Sequence, residues 1–210
     1  MIKVAYCDVS SLDLVNVYNL LPENRKIKVD SFRFDKDKKL SAGAYLLLDK
    51  LLCEEGITNP VFEYGKYGKA YISNYENIYF NMSHSNKLVA CAISDSEVGI
   101  DIEMCDPTID LNIAKHYFYN SEYENIQKSK NQLNEFFKYW VLKESYMKYT
   151  GEGFNKKLDS FEIIINNEIT LKNNPENIKF SLFEIKNYKL AISSKYPVKK
   201  IKKYEINDIF

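Results

Sequence analysis

The chain has 210 residues, enough for one domain or for two small ones sharing a core. Its 29 Lys and Arg balance 29 Asp and Glu, which removes any bulk-charge case for a nucleic-acid or membrane-surface partner. No apolar run is long enough to span a bilayer and no charged-then-apolar leader opens the chain, so a cytoplasmic protein is expected. Cys7, Cys53, Cys91 and Cys105 form no C-x-x-C pair. They read as small thiols of a reducing compartment, with the first three buried in apolar runs.

In chain order, Ile2 to Val9 reads as a first strand, and Leu12 to Leu21 has helical spacing that stops at Pro22. The basic run from Arg25 to Phe34, with Lys36, Lys38 and Lys39 after it, reads either as a solvated helix face with Phe32 buried or as a phosphate site. Leu40, Ala44, Leu47, Leu48 and Leu51 predict an amphipathic helix over 40–52, closed by Gly56. Tyr67-Gly68-Lys69-Ala70-Tyr71 is a loop entering a short strand, and Ile78 to Ser85 is a strand with a polar end. The unbroken apolar run Leu88 to Ile93 belongs in the centre of a sheet. After a turn at 95–97 comes Val98-Gly99-Ile100-Asp101-Ile102-Glu103, expected to pair with the run before it as a hairpin.

Pro107 breaks the chain, Leu111 to Tyr119 reads as a short helix, and Ser121 with Glu124 reads as the capping box of the next. A longer helix opens at Asn134, carries Phe136, Phe137, Trp140, Val141 and Met147, and closes at Gly151. Short strands are expected at 160–165, 168–171, 180–185 and 188–193, with the lysines of 199–203 in a solvated tail or edge strand. Lys189-Leu190-Ala191 echoes Lys87-Leu88-Val89-Ala90, which suggests two α+β halves meeting near residue 98.

The alternation in 98–103 puts Ile100 and Ile102 on one strand face and Asp101 and Glu103 on the other. Two acids so placed repel unless something positive lies between them. A hard divalent cation would serve, and a solvated edge strand is the plainer alternative. Glu144 and Lys148 share one helix face, which taken alone is a surface pair worth about 0.3–0.5 kcal/mol.

Three motifs now stand in order: Asn81-Met82-Ser83-His84-Ser85, Gly99-Ile100-Asp101-Ile102-Glu103, and Trp140-x-x-Lys143-Glu144-x-x-x-Lys148. The ordered set resembles the 4′-phosphopantetheinyl transferases, specifically the monomeric surfactin-synthetase type. Pro22-Glu23 with the basic run, and Tyr67-Gly68-Lys69, resemble that family's N-terminal half. The resemblance implies an α+β fold of two similar halves related by pseudo-two-fold symmetry, with the active site in the cleft between them. Residues 1–98 would bind coenzyme A, and 99–210 would carry the metal site and dock the carrier protein.

The implied reaction moves 4′-phosphopantetheine from coenzyme A to a serine of an acyl or peptidyl carrier protein and releases 3′,5′-ADP. Such chemistry needs charge neutralisation and positioning more than covalent catalysis. By resemblance, Asp101, Glu103 and Glu144 hold Mg²⁺, and Lys148 reaches the pyrophosphate. Glu144, or else Glu103, takes the serine proton. Ser83 and His84 bind the 3′-phosphate, Lys69 contacts the nucleotide phosphates, and Arg25, Lys28 and Ser41 add further contacts. Leu40, Asn24 and Ile27 depart from basic residues frequent in the family. Carrier docking is expected after Pro107, on Ile113, Lys115, Phe118 and Tyr119, with core filling the alternative for Ile113 and Phe118. A monomer is expected. A non-catalytic coenzyme A- or carrier-binding module and a metal-dependent phosphohydrolase remain as other classes.

Overall fold

The computed structural model describes residues 1–210, the side chain of Phe154 excepted. The first half runs β1 (Ile2–Asp8), α1 (Leu14–Tyr18), α2 (Glu23–Asp30), α3 (Asp35–Glu54), a small hairpin of β2 (Phe62–Tyr64) and β3 (Ala70–Ile72), and a long hairpin of β4 (Tyr79–Ser85) and β5 (Leu88–Ser94). The second half repeats that order. It has β6 (Val98–Met104), α4 (Asn112–Tyr117), α5 (Asn120–Lys128), α6 (Gln132–Thr150), the small hairpin β7 (Ile163–Ile165) and β8 (Ile169–Leu171), and the long hairpin β9 (Lys179–Ile185) and β10 (Tyr188–Ser194). A last strand, β11 (Lys202–Tyr204), follows. The α+β class and the two similar halves are as the resemblance implies.

The strands form two main sheets, ordered β11-β1-β5-β4 and β6-β10-β9. β5 and β10 hold the same central place, and every residue of both is buried. A strand covered on both faces needs an unbroken apolar run, which is what 88–93 supplies. The echoing segments are thus equivalent strands. The expected hairpin of 87–93 with 98–103 does not form. Both edges of β5 are already taken, by β1 and β4, so the turn at 95–97 hands the chain to the other sheet, where β6 pairs with β10.

β11 lies parallel to β1, with Ala5 opposite Lys202. The lysine-rich end is therefore an edge strand of the first sheet, and the division at residue 98 misplaces 202–204. α3 packs Leu47, Leu48 and Leu51 with Cys7, Val89 and Cys91 of the first sheet. α6 packs Leu142 and Met147 with Phe180 and Ala191 of the second. The remaining sheet faces meet through Val4, Ala90, Ile100, Ile102, Leu190 and Ile192. The layers run helix, sheet, sheet, helix.

Several local expectations shift. α1 is shorter than 12–21, because the Asp13 carboxylate caps it at Val15 N. α3 begins at Asp35, so Lys36, Lys38 and Lys39 stand on its first turns. The N-cap of α5 is Tyr119, whose N–H is taken by the Glu122 carboxylate at 2.9 Å, and not Ser121. Gly151 ends α6 with φ 72°, the left-handed turn its position requires. Cys53 is exposed, against the expectation.

Candidate active site

The acidic strand is not a solvated edge. Asp101 is 2% exposed, because α6 lies directly on its face of β6. Gly99 permits that approach: a Cβ there would stand 2.0 Å from Ser145 O and 2.3 Å from Tyr149 N. The close contact sets Glu144 and Lys148 of α6 over Asp101 and Glu103. Lys148 Nζ donates to Asp101 Oδ1 at 2.7 Å and to Ser83 Oγ at 2.9 Å. Ser83 Oγ donates to Asp101 Oδ1 at 2.8 Å, and Ser85 Oγ donates to Glu103 Oε2 at 2.6 Å.

One cation does not neutralise three neighbouring acids. Burial, and then the Asp101 charge, push Glu103 up to about 7. The same two causes push Glu144 up to about 7, against the pull of Lys148. Asp101 Oδ2 and Glu144 Oε1 are buried with no hydrogen-bond partner.

α6 is itself held by a buried brace. Lys143 and Glu122 are both fully buried and bonded at 2.8 Å. Lys143 Nζ also donates to Leu158 O at 2.8 Å and to Phe161 O at 2.9 Å. Glu122 Oε1 accepts the Ile163 N–H at 2.7 Å. The lysine of the Lys143-Glu144 pair therefore fixes the helix from behind while the glutamate faces the site.

Beside the acids a cleft of about 270 Å³ is lined by Arg25 and Lys28 of α2, Tyr64, Tyr67, Met82 and Lys148. It is aromatic on one wall and cationic on another, with both halves contributing.

Comparison with known proteins bears on these features. A model of the 4′-phosphopantetheinyl transferase superfamily matches residues 97–196. The chain is 38% identical over 172 residues to 4′-phosphopantetheinyl transferase gsp of Aneurinibacillus migulanus, an alignment covering 78% of this chain and 71% of that protein. It is 34% identical over 143 residues to 4′-phosphopantetheinyl transferase Sfp of Bacillus subtilis (strain 168), covering 65% of this chain and 63% of that one. The chain belongs to the 4′-phosphopantetheinyl transferase family. A looser likeness, with TM-score 0.41 and 21% identity, covers 46% of this chain and 61% of the Thermotoga maritima holo-[acyl-carrier-protein] synthase chain.

For a member of that family, the positions of the expected site residues divide. Asp101, Glu103, Glu144 and Lys148 come together. Arg25 and Lys28 share the cleft with Lys148, although Arg25 is partly engaged over the Tyr45 ring at 5.1 Å. His84 is exposed at the end of β4, and its pKa lies below the ordinary histidine value, first through desolvation and then through Lys148 and Lys28. It stands in the field of the same cations.

Lys69, expected to contact nucleotide phosphates, lines the same cleft, but its ammonium already has partners. Its Nζ donates to Tyr149 O at 2.9 Å and to Val98 O at 3.3 Å, and it pairs with Glu97. It ties the loop to the end of α6 and the start of β6. Ser83 is buried, with its hydroxyl turned to Asp101 and Lys148, not to a surface phosphate. Ser41 is buried in α3, its hydroxyl unpartnered, and does not line the cleft. Phe118, expected at a docking surface, is core: it stacks on Phe136 at 5.5 Å. Ile113 is half-buried, whereas Lys115 and Tyr119 are exposed.

Sequence reasoning missed Ser85 as a partner of Glu103. The available signal was a shared period of two: Ser83 and Ser85 precede Asp101 and Glu103 by the same 18 residues.

The acids also bear on whether a cation fits. Among the described residues no three His, Cys, Asp or Glu side chains form a finished metal cage. Lys148 is the cation on Asp101. Yet two buried carboxylate oxygens lack partners and two carboxyls sit near 7, the signs of a donor set short of positive charge. All-oxygen donors suit a small hard cation such as Mg²⁺.

Proposed function

We propose that this chain transfers 4′-phosphopantetheine from coenzyme A to a serine hydroxyl of an apo acyl or peptidyl carrier protein, releasing 3′,5′-ADP in an Mg²⁺-dependent reaction. The observation that carries the reading is the meeting of Asp101, Glu103, Glu144 and Lys148 beside a cleft that also holds Arg25 and Lys28. Family membership gives the reaction class.

In this reading Asp101, Glu103 and Glu144 would hold the metal. Bound there, Mg²⁺ would neutralise the pyrophosphate charge and stabilise the departing 5′-phosphate of 3′,5′-ADP. Lys148 supplies a point charge to the same pyrophosphate. Arg25, Lys28 and His84 hold the nucleotide's phosphates, so that the first half binds the substrate and the second carries the acids. The serine oxygen forms the new P–O bond as the bond to 3′,5′-ADP breaks. The serine proton passes to a carboxylate, for which Glu144 and Glu103 both remain open. In the absence of a cation each lies near 7, within reach of a proton at neutrality.

The carrier is taken to dock on the second half, where exposed Lys115 and Tyr119 suit an acidic partner. One chain carries both halves, so a monomer suffices. No helix is long and apolar enough to cross a membrane.

The test is the intact mass of an apo carrier protein after incubation with the enzyme, coenzyme A and Mg²⁺. A phosphopantetheine-sized gain is expected, absent with Glu144→Gln and absent with chelator. No gain with any of several fatty-acid and peptide-synthetase carriers, from a folded protein that binds coenzyme A, would reject the reading.

A further inference from the structure

β4 and β6 are neighbours where the halves meet, yet they belong to different sheets. The open edge of β6 is closed by side chains instead of strand pairing. Asn81 Oδ1 accepts the Ile100 N–H at 3.0 Å, Ser83 Oγ that of Ile102 at 3.3 Å, and Ser85 Oγ that of Met104 at 3.1 Å. Three alternate residues of β4 thus stand where the carbonyls of a parallel partner strand would stand. Buried N–H groups on an open edge need acceptors, and these side chains provide them.

A carbonyl would satisfy the edge equally well. A hydroxyl can also donate a proton. Ser83 gives its proton to Asp101 Oδ1 and Ser85 gives its own to Glu103 Oε2. The same step from Asn81 reaches Gly99, which has no carboxylate to receive one. Two of the three rungs therefore do two things, and those two face the acids.

We propose that Ser85, with Ser83, is a positioning residue: hydroxyls carried by the first half fix the aim of the carboxylates carried by the second. A bond to one oxygen of Glu103 limits rotation of the carboxylate and leaves the other oxygen presented to the site, as outer hydrogen bonds orient metal ligands generally. Ser85 is the cleaner of the two, because Ser83 also accepts from Lys148. The inference rests on the proposed reading of these acids as the cation-holding set.

The test uses Mn²⁺ as the probe. Its binding is read from loss of the free-ion paramagnetic resonance signal, with coenzyme A present and no carrier protein. Ser85→Ala and Ser85→Cys are expected to weaken Mn²⁺ binding about tenfold or more. Ser85→Thr, which restores the hydroxyl, returns affinity to within about twofold. Asn81→Ala removes a rung of the same kind without a carboxylate and leaves affinity within about twofold of wild type. The cysteine variant keeps the side-chain volume, so the test survives if the alanine variant does not fold. Unchanged affinity in both Ser85→Ala and Ser85→Cys overturns the inference and leaves the metal reading intact. Asn81→Ala weakened as much as Ser85→Ala also overturns it. Wild-type protein that binds no Mn²⁺ overturns both.

Discussion

A single methyl group at Gly99 should separate the two halves of the chemistry. A Cβ there meets Ser145 O at 2.0 Å, Tyr149 N at 2.3 Å and Tyr149 Cα at 2.9 Å. All three are backbone atoms, so no side-chain rotation relieves the clash. α6 must withdraw by more than about 1 Å to regain ordinary van der Waals contact. Overpacking of this kind costs about 1–3 kcal/mol, which in a chain of this size lowers Tm by about 2–12 °C. The same withdrawal carries Glu144 and Lys148 away from Asp101 and Glu103, and misplacement by about 1 Å costs about 100-fold in rate. Arg25 and Lys28 lie on α2 and do not move with α6. Gly99→Ala should therefore lower kcat about 100-fold, with a smaller rise in KM for coenzyme A because Lys148 shifts while Arg25 and Lys28 stay. Steady-state kinetics on a carrier substrate, with thermal melts alongside, measure both. A Gly99→Ala enzyme with kcat within about twofold of wild type would refute the argument that helix contact at this glycine sets the site.

Other outcomes follow from neighbouring residues. Lys143→Met strands the Glu122 charge in the core and should cost about 3–5 kcal/mol in urea unfolding, with Glu122→Gln added to it recovering part of the loss. Lys69→Met should lower stability by about 1–3 kcal/mol through its lost bonds to Tyr149 O and Val98 O while changing KM for coenzyme A by less than about threefold; a large KM effect would return Lys69 to the phosphate site. Lys115→Glu should raise KM for an acidic carrier about tenfold with Tm unchanged, whereas Phe118→Ala should cost about 3–5 kcal/mol of stability. In metal-free buffer, Glu144 at about 7 lies above the ordinary 4.5, so the folded chain holds a proton that the unfolded chain releases, and stability falls as pH rises from 4.5 to 7. Glu144→Gln should flatten that slope, leaving the variant more stable than wild type at pH 8 by on the order of 2 kcal/mol and equal to it near pH 4.

What the sequence revealed of this arrangement depended on how local the cause was. The apolar run at 88–93, the alternation at 98–103 and the stop at Gly151 are each decided by a few adjacent residues, and each was readable. Partner choice was not. The hairpin expected between β5 and β6 failed because β1, far back in the chain, already occupied an edge of β5. Lys69 looked free for a phosphate because its acceptors, Val98 O and Tyr149 O, are backbone atoms 29 and 80 residues away. Phe118 sits on a short polar helix end, and only the approach of Phe136 from α6 makes it core. The acids at 101 and 103 were visible as a pair, but their burial, which raises Glu103, comes from α6 and β4, and the pattern of one strand does not contain it.

The repeated architecture shows what the acids replace. In the first sheet Ala5 of β1 pairs with Cys91 of β5; in the second, Asp101 of β6 pairs with Ala191 of β10. Two residues on, Cys7 pairs with Val89, and Glu103 with Lys189. Ala5 and Cys7 lie in the apolar core under α3. Asp101 and Glu103 occupy the same places under α6, so the site is a helix–sheet interface in which core positions carry charge. Buried charge without partners is strongly unfavourable, and here the relief comes from two sides: Lys148 from α6 of the same half, and Ser83 and Ser85 from the other half. Neither half could hold these acids alone. A sequence that places an acid needing this much compensation at such a position, when the matching strand of its own first half carries alanine there, keeps it for what the acid does.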